Sequence, residues 1–254
     1  KNNCFNIKNS RLPEVTAEFK TAGEYNGIPV CVSLGDNQAS FIGSVSNEND
    51  ALINVGTGSQ ISWLTETPVD GNGVENRPFD GNRYLAAGCA LCGGRAFAVL
   101  ADFFKSCLEM AGCECDGSIY KYMDAALESA GDDSLTVSTK LSGTRSDPTL
   151  RGSITNLGID NFTPVALMNG FLGGMVSEIM EMIEPTGFKA TSLVGSGNGL
   201  RKNVPLQKRF SAALGAKMQI PLHREEAAYG AVLTALVACK AKDSLEQAQK
   251  LISY

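Results

Sequence analysis

Residues 51–64 read ALINVGTGSQISWL. Apolar strand-like runs on either side of Gly56-Thr57-Gly58-Ser59 make the pattern of an antiparallel hairpin with a glycine-rich tip. Such a tip exposes backbone amides, and glycine lets them come close to an anion. Upstream, Ser46 to Asp50 is polar and reads as a linker, so a domain boundary is placed between residues 48 and 49. Before it, GIPVCVS (Gly27 to Ser33) predicts a buried strand, Gly35-Asp36-Asn37-Gln38 a polar tip, and the apolar patch Ala39 to Val45 a helix.

Downstream, Arg83 to Ala87 predicts a strand. Beyond Gly93-Gly94, the positions Phe97, Leu100, Phe103, Phe104, Cys107 and Leu108 recur at helical spacing. Thr163 followed by Pro164 signals a helix start, and Val165, Met168, Leu172, Met175, Ile179 and Ile183 mark a methionine-rich face read as core. A strand at Thr191 to Val194 runs into Gly195-Ser196-Gly197-Asn198-Gly199. A helical stretch to about Leu214, a strand at Lys217 to Ile220 and a helix from Glu226 to about Lys240 complete the pattern. Hairpins early and strand–helix alternation later predict a mixed α/β sheet covered by helices, whereas a Rossmann domain would alternate from the outset.

The 254 residues, 43% hydrophobic, are enough for one large domain, or for one domain plus a piece of another. A net charge of −5 with scattered basic residues argues against a nucleic-acid or anionic-membrane partner. The longest uncharged run, Asn161 to Ser177, is broken by Pro164, Asn169 and glycines, which makes it a poor membrane span; nothing in Lys1 to Ser10 reads as a signal peptide. Eight cysteines, several inside apolar runs, suggest reduced thiols and a cytoplasmic location. Cys89-x-x-Cys92 has no second pair at zinc spacing, and Cys113-x-Cys115 is too close for one.

The glycine turns Gly56 to Ser59 and Gly195 to Gly199 each follow an apolar strand, and together they suggest a nucleotide site, although either alone is compatible with an ordinary tight turn. No Walker A loop occurs, and Ile61 and Leu200 stand where a third glycine of G-x-G-x-x-G would belong. Thr57 and Ser59 add hydroxyls suited to holding a phosphate while charge shifts. Asp36, with Asn37 and Gln38 beside it, fits a general base facing a polyhydroxylated substrate, and equally fits a helix cap. His223, the single histidine, has no serine or cysteine elbow near it and reads as a packing or surface residue.

Five stretches resemble the FGGY family of carbohydrate kinases: GIPVCVSLGDNQASFIGS (27–44), ALINVGTGSQISW (51–63), YLAAGCALCGG (84–94), GTRSDPTLRGSITNLGID (143–160), and SLVGSGNGLRKN (192–203) with EEAAYGA (225–231). The similarity runs from about Leu12 to Ala241 and lies in the family's second half, nearest the members that phosphorylate sedoheptulose. It implies an actin-like, ribonuclease-H-like ATPase domain at 49–254, with 1–48 as the tail of a preceding sugar-binding domain whose Asp-x-Gly-Thr motif falls before Lys1. It also implies ATP and Mg²⁺ as cofactors and a ketose primary hydroxyl as acceptor, with xylulose, ribulose and glycerol as rival substrates. The family pattern puts the base at Asp36 and sugar contacts at Asn37 and Gln38. Gly56, Thr57, Gly58 and Ser59 would face the γ-phosphate, with a nucleotide contact at Gly88. Adenosine contacts would come from Gly195, Ser196, Gly197, Asn198, Gly199 and Asn203. Asn161 stands near a position where many relatives carry histidine. A non-catalytic nucleotide-binding fragment and an actin-like or chaperone-like ATPase are the competing readings, and nothing in the sequence bears on oligomeric state.

Overall fold

The computed structural model describes residues 16–115, 117–128 and 135–254. In chain order the elements are β1 (Thr21–Tyr25), β2 (Ile28–Cys31), α1 (Asp36–Ser44), β3 (Ala51–Val55), β4 (Ser59–Thr65), β5 (Val74–Pro78), β6 (Tyr84–Ala90), α2 (Gly94–Met110) and α3 (Ile119–Glu128). They continue as β7 (Thr136–Ser138), β8 (Ser153–Thr155), α4 (Pro164–Ile183), β9 (Leu193–Ser196), α5 (Asn198–Arg201), α6 (Val204–Leu214), β10 (Met218–Gln219), α7 (Glu226–Ala238) and α8 (Leu245–Gln249).

The main sheet has six strands in the order β10-β9-β3-β4-β6-β5. β3, β4, β6 and β5 pair antiparallel, while β9 and β10 join parallel to β3, so the sheet is mixed as the pattern predicts. Helices cover both faces. Ala51, Ile53 and Val55 point into a core shared with Phe97, Leu100, Met168, Met175 and Phe210; Leu52 points the other way, toward Phe41, Ile42, Leu233 and Leu245. This two-sided burial explains why Ala51-Leu52-Ile53 is a continuous apolar run rather than an alternating one. The start of α4 is as read from sequence, with Pro164 in the first turn and the Thr163 hydroxyl accepting from the Ala166 amide at 3.1 Å. Met168, Met175 and Met182 are buried, as core packing requires.

α1 lies against α7 at backbone contact distance. A Cβ on Gly43 would sit 2.0 Å from the Glu226 carbonyl oxygen, and one on Gly230 would sit 1.9 Å from that of Ala39, so neither position admits a side chain without moving a helix. The last carbonyls of α1 would otherwise lack partners. Gln249 Nε2 donates to those of Ile42 and Val45 at 3.2 and 2.6 Å, His223 Nε2 to that of Gly43 at 2.7 Å, and the Tyr254 hydroxyl to that of Ser44 at 2.8 Å. The single histidine is thus a packing residue, with its ring also stacked on Tyr229 at 4.0 Å between centroids.

Two expectations need correction. The strand expected at Gly27 to Ser33 is half of a separate β1–β2 hairpin that never joins the main sheet, and Tyr25 and Ile28 are 71% and 66% exposed. Its apolar residues read as a buried strand, but Ile28 and Val30 stay exposed while Cys31 and Val32 are only partly covered. The single helical stretch to Leu214 is broken at Asn203, whose side-chain oxygen caps a new helix by accepting from the Leu206 amide at 2.9 Å. The strand β5, the small β7–β8 ribbon, α3 and α8 are further elements of the fold. No described helix is long and apolar enough to cross a membrane.

Candidate functional site

A cleft of about 1090 Å³ opens where β3 and β9 end and α2 begins. One wall is the β3–β4 hairpin tip. Its carbonyls are taken up by the start of α2: Thr57 O accepts from the amides of Gly93 (2.9 Å) and Arg95 (3.2 Å), and Gly56 O accepts from Gly94 (2.9 Å). The amides of Thr57 and Gly58 have no backbone acceptor among the described residues. A Cβ on Gly56 would meet nothing closer than 3.9 Å, so this wall leaves open space beside the backbone.

The opposite wall is the β9–α5 turn. Gly197 adopts φ +80°, in the left-handed region that glycine favours, and a Cβ there would sit 2.5 Å from the Val55 carbonyl oxygen. Its own carbonyl accepts from the Leu200 and Arg201 amides at 3.1 and 3.0 Å. Between the walls, Asn54 Nδ2 donates to Ser196 Oγ at 2.8 Å and ties the ends of β3 and β9 together. Met175, Phe97 and Leu206 supply apolar lining, and Tyr120, Asp124, Lys202, Arg224 and Glu225 stand around the same space.

The residues singled out from sequence divide into three groups. Gly56, Thr57, Gly197, Asn198, Gly199 and Asn203 come together in the cleft although some 140 residues separate the two loops. Gly58, Ser59, Gly88, Gly195 and Ser196 are not on its lining. Cβ atoms on Gly88 and Gly195 would run into Met182 and Ile220 respectively, so those glycines serve close packing. Ser59 is buried, and its hydroxyl has no partner among the described residues. Asp36, Asn37 and Gln38 form the first turn of α1, off the lining of this cleft.

Gly35 occupies the N-cap position of α1, so Asp36 is the first helical residue rather than the cap. Its exposed carboxylate accepts from the Asn37 amide (2.8 Å) and side-chain nitrogen (3.0 Å). Gln38 Nε2 donates to the Pro78 carbonyl at 3.1 Å. Asn203 lines the cleft, but its oxygen is committed to capping α6. The thiols of Cys89 and Cys92 donate to different partners, Gln60 (3.3 Å) and Ser142 (3.2 Å). Sequence reasoning passed over Asn54, Arg95 and Arg201. The Gly93-Gly94 doublet was the available signal for the first wall, and the asparagine closing the apolar run of β3 was the signal for the tie.

A model of the FGGY family of carbohydrate kinases, C-terminal domain, matches residues 51–239. The chain belongs to this family. Among curated proteins, the FGGY chain is 25% identical over 244 residues to mouse (Mus musculus) sedoheptulokinase, covering 89% of this chain and 51% of that protein. It therefore spans about half the length of the curated relative it matches. Among solved structures, ligand-bound xylulose kinase from Lactobacillus acidophilus superposes with a TM-score of 0.85 at 16% identity, covering 99% of this chain and 54% of the other. Plasmodium falciparum glycerol kinase with ADP gives 0.78 at 21% identity, covering 98% and 52%. These likenesses establish the actin-like ATPase fold for the FGGY chain.

Proposed function

We propose that this chain carries the nucleotide-binding part of a carbohydrate kinase that moves the γ-phosphoryl group of Mg·ATP to a primary hydroxyl of a ketose, with sedoheptulose to its 7-phosphate as the specific reaction. The convergence of Gly56-Thr57 and Gly197-Gly199 on one cleft carries this reading. The cradle fits such a ligand: open space beside Gly56, a Thr57 amide with no backbone acceptor among the described residues, the Thr57 side chain on the lining, and apolar side chains deeper in. Mg·ATP would supply the phosphoryl group and the cation that offsets its charge.

In this reading Thr57 and the hairpin amides hold the transferring phosphate, and the Gly197 to Gly199 turn holds the adenosine side. Asp36, at the positive end of α1, accepts the hydroxyl proton while Asn37 and Gln38 orient the sugar. Residues 49–254 act as the nucleotide domain, and 1–48 close the preceding sugar-binding one. The curated relative supports sedoheptulose; the names of the structural neighbours keep xylulose and glycerol, and with them ribulose, as substrates to test.

A second reading, a nucleotide-binding module without turnover, is favoured by one observation: Asp36 stands off the lining of the cleft. Paired variants separate the roles. In a catalytically complete enzyme carrying these residues, Thr57→Ala should lower turnover about 10²-fold, the loss seen when a transition-state donor is removed, with little change in ATP affinity. Gly197→Val, which puts a branched side chain at positive φ against Val55, should chiefly weaken ATP binding. Kinetics and calorimetry on both variants check this; equal effects on the same parameter would rule out the division of roles.

A further inference from the structure

Arg201, at the end of α5, lines the cleft yet turns its guanidinium inward. Its Nη1 donates to the Pro221 carbonyl at 2.6 Å, and its Nη2 donates to the His223 carbonyl at 2.5 Å and to Glu226 Oε1 at 2.7 Å. The Arg201 and Glu226 side chains are only 15% and 11% exposed, so this pair is shielded from solvent. His223 has its backbone in this fork and its ring elsewhere: Nε2–H donates to the Gly43 carbonyl in the last turn of α1 at 2.7 Å. Glu226 opens α7, whose Gly230 meets Ala39 of α1 at backbone contact.

One unbroken set of hydrogen bonds therefore runs from the Gly197–Arg201 turn through residues 221–226 to the helix that begins at Asp36. A planar fork is needed to satisfy two carbonyls and a carboxylate together; a lysine ammonium, as a point charge on a flexible stem, holds such a set poorly. We propose that Arg201 and His223 are positioning residues that set the nucleotide turn and the Asp36 helix at a fixed separation. The proposal rests on the functional reading above, in which those two elements hold the nucleotide and the acceptor proton.

Under it, ordering of the 197–203 turn by nucleotide must also steady the end of α1. The test is amide hydrogen exchange of the 254-residue chain with and without Mg·ATP, in the unsubstituted protein and in Arg201→Lys, His223→Phe and His223→Gln. Phenylalanine keeps a ring to stack on Tyr229 but lacks the donor; glutamine restores a donor without the ring. In the unsubstituted chain, ATP should slow exchange in both segments 197–203 and 41–45. His223→Phe should keep the first effect and lose the second by about fivefold, the worth of one hydrogen bond, and His223→Gln should recover most of it. Arg201→Lys should lose it as well.

Protection of 197–203 without protection of 41–45 in the unsubstituted chain would overturn the tie while leaving the nucleotide site standing. Protection of 41–45 that survives His223→Phe would also overturn it, because a merely structural ring would then suffice. Absence of protection at 197–203 would overturn the nucleotide assignment, and the tie with it.

Discussion

Asp36 illustrates how much a single position can change role with its neighbours. Local sequence fits either base or cap, but Gly35 holds the cap position, and the exposed carboxylate engages only Asn37 among the described residues. A general base must be reachable by the hydroxyl it deprotonates, and the exposure of this carboxylate meets that need. In a catalytically complete enzyme carrying these residues, Asp36→Asn is expected to lower kcat by about 10²–10⁴ while ATP affinity stays near its original value. Steady-state kinetics with an independent ATP titration reads both; an unchanged kcat would remove Asp36 from the mechanism.

At the scale of elements, α4 is the central buried helix, and it carries one ionisable group in an apolar setting. Glu178 is 3% exposed, and burial pushes its carboxyl above the usual range, against the hydroxyl of Thr139, which donates to it at 3.2 Å. A raised folded-state value means that the stabilising protonated form is fully present below the ordinary carboxylate range and is lost as pH rises through the raised value. Glu178→Gln keeps the shape and an acceptor for Thr139 but removes the buried charge. The variant should melt higher at neutral pH, by about 2–4 °C for a loss of roughly 1 kcal/mol of desolvation penalty, and the difference should shrink in acid. Melting curves across pH check this, and a lower melting temperature at neutral pH would mean that the charged form is stabilised by its surroundings.

For the whole molecule, the cleft and the exposed β1–β2 hairpin bear on what the chain can do by itself. In-line phosphoryl transfer needs the acceptor hydroxyl, the base and the γ-phosphate held together and shielded from water. Asp36 is not among the residues that line the cleft between Gly56 and Gly197, and the chain covers about half of its curated relative. The 254 residues alone are therefore expected to bind ATP weakly and to give no sugar-dependent ADP production with sedoheptulose, xylulose, ribulose or glycerol. Calorimetry and a coupled ADP assay measure the two properties. Turnover at ordinary enzyme rates, on the order of 1–10³ s⁻¹, would show the site to be complete as it stands.

Local pattern carried most of the architecture: the Gly56 to Ser59 hairpin, the Thr163-Pro164 start of α4, its methionine-lined core face and the mixed sheet all follow from periodicity, turn chemistry and capping, which act within a few residues. Of these, the 56–59 hairpin also lies in a stretch that carries the family resemblance. Tertiary structure alone decided which glycines face a ligand space and which serve packing. Gly56 and Gly195 look alike in sequence, but one borders a cleft while the other abuts Ile220, brought in by β10 from 25 residues away. It also decided that the apolar hairpin near the start stays exposed, that Asn203 ends one helix and begins another, and that His223 joins Arg201 to α1. Hydrogen-bond partners and burial are set by chain segments remote in sequence, and no local pattern encodes their distance.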